Sequence, residues 1–230
     1  MSLTRRISFD KIYEYNEKGA LGKEIFTSFF ERIPLLEKAL RETEEVSGIG
    51  YPPVLFEPAL TIIRYPASTF ASAVIYAATK IEEYEEELQP CVVFSVPFVL
   101  FARQETLRAA AAHEFLHYVY ITVKLSRGNY MDLAGERLDS IEVHQAYDDT
   151  HVVPPEEWFG RSELVTLIKE VFNPTVRDPD LERALKERWI ERGFPVRYAS
   201  SEEVKIKLPI TEVARIRLDG RIVEKAKKLD

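Results

Sequence analysis

One stretch constrains this chain more than any other. Residues 104–127, QETLRAAAAHEFLHYVYITVKLSR, are rich in Ala, Leu, Glu and Arg and stop at Gly128. Those residues lose little freedom in a helix, and glycine is the usual residue just past a helix end. The four alanines at 109–112 leave a smooth surface against which a neighbouring element can pack closely. Before this helix comes Cys91 to Leu100, an apolar run that reads as a buried strand, with Pro97 marking an edge or bulge. A strand leading into a long, closely packed helix is therefore the frame for the rest of the fold.

Within the helix lies HEFLH, His113 to His117. Residues four apart share a helical face, so both imidazoles can address one metal ion. Glu114 follows the first of them, close enough for its carboxylate to reach a water on that ion without binding the metal. Zinc lowers the pKa of such a water to roughly 7, and a carboxylate base then assists its attack on a carbonyl. The motif predicts a Zn²⁺ site with His113 and His117 as ligands and Glu114 as general base.

The flanking sequence is organised around this helix. Residues 9–47 read as helical, with Phe26, Phe29, Phe30, Ile33, Leu36 and Leu40 at three- and four-residue spacings and Gly48 and Gly50 ending the pattern. Leu60 to Tyr65 reads as a strand, and residues 70–80 fit strand or helix equally. Residues 81–89 hold five Glu and read as a solvated helix or turn. A second helix is expected over about 133–147, behind Asp132 as N-cap. Beyond VVPPEEWFG (152–160), two helices (162–172 and 179–192), a strand pair near 195–208 and a helix after Thr211 complete the chain.

Composition excludes several classes. Thirteen Phe, eleven Tyr and two Trp among 230 residues are incompatible with a disordered chain. Cys91 is the one cysteine, which rules out a disulfide scaffold and suits a reducing compartment. A net charge of −7 argues against nucleic acid as partner. The longest apolar stretch, Pro90 to Ala102, falls short of the roughly 20 residues a bilayer requires. A cytoplasmic protein without membrane association is expected. Three Asn and three Gln beside abundant Glu, Lys and Arg resemble the usage of heat-adapted proteins.

Residues 90–158 resemble the zincin metallopeptidases, in which a strand precedes an HExxH helix and a later helix returns a third ligand. In the gluzincin branch that ligand is Glu. The longer zincin signature with a third His is absent, because Val123 stands at its position. Glu136, Asp139, Glu142 and His144 are candidates for the return. Spacing favours Glu136, whose separation from His117 is close to that in several gluzincins. Height favours Glu142: on an antiparallel return helix starting near Leu133, a rise of 1.5 Å per residue leaves Glu136 roughly 9 Å short.

A second similarity, to ImmA/IrrE-like metallopeptidases, agrees with Glu142. RQETLRAAAAHE is similar to that family's run into its motif, and VVPPEEWF follows Glu142 as an apolar-Pro-acidic segment does there. Val143-His144-Gln145 departs from the family, which has a small residue and then Asn or Asp. His144 is a further candidate, as a donor to the developing oxyanion.

Together these readings predict an α+β, helix-rich, zincin-like fold, with a small mixed or antiparallel sheet packed on the HExxH helix. Residues 1–160 form the catalytic domain, and 161–230 an α/β segment packed on it. The function expected is a gluzincin-type zinc metallopeptidase acting on peptide or protein substrates. The alternatives are hydrolysis of another amide, or a non-proteolytic, metal-dependent sensor or regulator whose C-terminal segment, 161–230, binds a partner.

Overall fold

The computed structural model describes residues 6–64, 72–128, 140–143, 153–172, 176, 178–200 and 206–229. Helices α1 (Asp10–Glu17) and α2 (Lys23–Ser47) are followed by strands β1 (Val54–Glu57), β2 (Leu60–Arg64), β3 (Ser72–Ile75), β4 (Ala77–Tyr84) and β5 (Glu87–Ser95). Then come α3 (Val96–Phe101), α4 (Gln104–Ser126), β6 (Ser140–Val143), α5 (Pro155–Phe159), α6 (Glu163–Val171) and α7 (Pro179–Leu185). Strands β7 (Val196–Ser200) and β8 (Ile206–Pro209) and helices α8 (Ile210–Val213) and α9 (Gly220–Leu229) close the chain. The class is α+β and helix-rich with small mixed sheets.

One sheet has the order β1-β5-β4, with β1 parallel and β4 antiparallel to β5. A second has the order β3-β2-β7, antiparallel and then parallel. The third is the antiparallel pair β6-β8. Helix α4 lies at the centre, apolar on nearly every side, as a fully covered helix must be. Helix α2 presents Phe29, Leu36 and Leu40 to the same core, each fully buried. Each such burial contributes roughly 1.5–3 kcal/mol.

The expected helix over 9–47 is broken between α1 and α2. Gly19 turns left-handed at φ 70°, and Gly22 supplies the extended residue before α2. Residues 81–89 form no helix. They are the facing ends of β4 and β5, joined by Glu85 and Glu86, both at positive φ. Pro97 is neither edge nor bulge: β5 ends at Ser95, whose hydroxyl accepts the Phe98 N–H at 3.4 Å and caps α3, with Pro97 in its first turn.

The return helix expected over about 133–147 is also corrected where the chain is described. Residues 140–143 form β6, with Glu142 opposite Lys207 of β8. Ile141 and Val143 are β-branched and favour a strand once a partner strand is present. The two strands near 195–208 do not pair with each other. β7 lies beside β2, and β8 beside β6. The helix expected over 179–192 continues past α7 as a π-helical turn, Lys186–Ile190, that buries Trp189. Helices α6 and α9 both pack on α4.

Candidate metal centre

Helix α4 is fixed from several directions before any metal is considered. Arg108 gives its Nε and Nη2 to the two carboxylate oxygens of Glu42 on α2, at 2.7 and 2.6 Å. Its Nη2 also reaches Glu163 of α6 at 2.8 Å. The Tyr51 hydroxyl donates to the Ala111 carbonyl at 2.8 Å. The alanines at 109–112 let these neighbours approach, and all four are buried.

On this helix the Nε2 atoms of His113 and His117 lie 3.0 Å apart. Two nitrogens on one tetrahedral zinc ion, each at about 2.0–2.1 Å, lie about 3.3 Å apart, so the pair fits a shared metal. Burial, and then the neighbouring His117, pull the His113 imidazole well below its usual range. Burial brings His117 down to about 4. Both rings are neutral at pH 7, the form that binds a metal. Among the described residues no group of three or more His, Cys, Asp or Glu converges on one point. Glu142 is on β6, while Glu136, Asp139 and His144 lie outside the described residues.

Glu114 is 5% exposed and points toward β4. The Thr79 hydroxyl lies 2.9 Å from Glu114 Oε2 and 3.0 Å from its backbone oxygen. Burial pushes the Glu114 carboxyl up to about 7, against the lowering effect of the Thr79 contacts. Its charge in turn adds to the burial that holds the Tyr51 hydroxyl above its usual range.

Two contributors have no local signature in the sequence. Thr79 is a plain strand residue until β4 is known to cross α4. Phe172, just beyond α6, stacks on the His113 ring with centroids 4.1 Å apart and planes at 9°. Its one legible trait is its place at the end of the apolar run of α6. Cys91 is fully buried, with its thiol pushed up to about 12 by burial, which suits a core residue rather than a nucleophile.

No family model, curated protein or solved structure matches the chain.

Proposed function

We propose that this chain is a zinc-dependent peptide hydrolase, with His113 and His117 as two metal ligands and Glu114 as general base. The observation carrying this reading is the 3.0 Å approach of the two Nε2 atoms beside a buried carboxyl held near neutrality. When bound there, zinc supplies Lewis acidity, acidifying water to roughly pKa 7 and polarising a carbonyl. Glu114, held from β4 beside the two imidazoles, would take the proton of the attacking water and return it to the leaving amine. Thr79 holds that carboxyl in place from β4.

Among the described residues β4 pairs on one side only, with β5. Its outer edge offers backbone groups to an extended chain, which favours a peptide as the substrate. Glu142 is the preferred third ligand and Glu136 the alternate, with His144 as a donor to the oxyanion. Because 140–143 form a strand, the preference for Glu142 now rests on the family resemblance instead of helix height.

Metal content and cleavage of a quenched peptide library test the reading together. Glu114→Gln is expected to keep zinc and lose cleavage by about 10²–10⁴-fold. His113→Ala and His117→Ala are expected to lose zinc, and Glu142→Ala to bind it more weakly than Glu136→Ala. Unimpaired cleavage by Glu114→Gln sinks the mechanism. Stoichiometric zinc with no cleavage of any peptide favours a sensor, or hydrolysis of another amide.

A further inference from the structure

Side chains alternate along β4, so those facing α4 and those facing away can be assigned. Thr79 touches Glu114, and Ile81 packs with Ile121 and Leu125 of α4. Ala78 and Lys80 therefore point to the opposite face, toward a pocket that also takes in Glu57 of β1 and Thr61, Ile75 and Arg197 of the β3-β2-β7 sheet. The pocket encloses about 40 Å³. A single water needs roughly 10–15 Å³ on this measure, so about three fit.

Lys80 is half-buried and has no hydrogen bond or ion pair among the described residues. The charges acting on it are Glu57 and Glu82 on one side, Lys11 and Arg197 on the other. Among the described residues that act on it, Lys80 included, this makes three cations against two carboxylates, an excess of one positive charge. Glu57 is already engaged, by the Ala59 N–H at 3.2 Å and Lys11 at 3.7 Å. Holding an ammonium part-buried and unpaired costs free energy, which an anion entering the pocket offsets.

The lining narrows the chemistry of that anion. Arg197 presents a planar fork suited to two oxygens, and Lys80 a point charge. The Ser95 hydroxyl accepts from Phe98 N–H, so its own proton is free for a ligand oxygen. Ile75, Ala78 and Val93 supply an apolar wall. We propose that this inter-sheet pocket is a binding site for a small aliphatic carboxylate, its oxygens held by Lys80 and Arg197 and its short chain against that wall. The site is on the sheet face opposite the candidate metal centre and is independent of it.

The test uses the full chain with its lysines reductively ¹³C-dimethylated, a change that keeps their charge. The Lys80 signal is assigned by its absence in Lys80→Arg and followed by NMR during titration with sodium propionate. The expected result is a saturable shift that sodium chloride at equal ionic strength does not produce. Arg197→Gln is expected to weaken the apparent affinity at least fivefold, with zinc content unchanged. Lys80→Met is expected to leave the thermal midpoint equal or higher. A non-saturable response, an equal response to chloride, or full affinity in Arg197→Gln overturns the proposal. Tighter binding of inorganic phosphate than of propionate overturns the carboxylate assignment, and a lower midpoint in Lys80→Met shows a lysine kept for stability.

Discussion

Glu114 carries an acidic group into surroundings that oppose its charge, and folding pays for this whenever the group must ionise. Its folded pKa lies above the unfolded one, so its contribution favours the folded state below about pH 4.5. That contribution is lost as pH rises through the folded value of about 7. A shift of this size corresponds to about 3 kcal/mol at most. In urea unfolding of the metal-free protein the depressed His113 and His117 raise stability as pH rises toward 6.5 and Glu114 opposes them, so Glu114→Gln is expected to show the steeper rise with pH. A slope unchanged in the variant assigns it to other groups. Phe172 acts on the neighbouring ligand through contact alone. Phe172→Leu frees the His113 ring and is expected to weaken zinc binding by about tenfold, the lower end of what ligand-orienting neighbours contribute. Phe172→Tyr keeps the stack and the affinity, as competition with a chelating dye can measure. His113, Glu114 and His117 are readable from sequence because one helical turn relates them. Thr79 meets Glu114 across 35 positions, and Phe172 stacks on His113 across a longer gap, so neither contact leaves a local pattern.

At the scale of elements, α4, α6 and β2 stand where their periodicity puts them, and the failures have separate causes. The β4–β5 hairpin is written in helix-favouring glutamates, which hide the alternation of Thr79 and Ile81 against Lys80 and Glu82. Its turn needs two left-handed residues, yet Glu85 (φ 52°) and Glu86 (φ 63°) occupy it in place of the usual Asn-Gly. A side chain in that region costs about 1–2 kcal/mol. Glu85→Asn with Glu86→Gly is therefore expected to raise unfolding free energy by about 1 kcal/mol, read from denaturant midpoints. No gain means that β4 and β5 constrain the turn too loosely for its chemistry to count. β6 misleads for a different reason. Ile141 at helical spacing from Leu138 also suits a strand, and β8, which decides between them, comes only after α5, α6, α7 and β7.

Across the whole molecule, pairings between distant segments assemble the architecture, and no periodicity announces them. β7 extends the β2 sheet and α9 covers α4, so the C-terminal elements are woven into the body that carries the HExxH helix. Asp178 is one tie between these parts. It is 1% exposed and caps α7 by accepting the Leu181 N–H at 3.1 Å. Its other oxygen accepts the Thr106 hydroxyl of α4 at 2.7 Å and Arg103 Nε at 3.3 Å. Burial raises its pKa, but these donors outweigh burial and the net shift is downward. A depressed carboxylate pKa means that its stability is fully present above the unfolded value, near 3.9, and is lost as pH falls from there through the folded pKa. In Asp178→Ala the cap is lost, about 1 kcal/mol, and the buried Thr106 hydroxyl loses its acceptor, about 1–3 kcal/mol. The expected loss at pH 7 is thus about 2–4 kcal/mol, narrowing as pH falls below 4. Chemical denaturation at both pH values measures it. A loss that is equally large at low pH assigns the effect to packing and removes the carboxylate from the account. A loss confined to neutral pH shows one ionised side chain joining the C-terminal helices to the helix that carries His113 and His117.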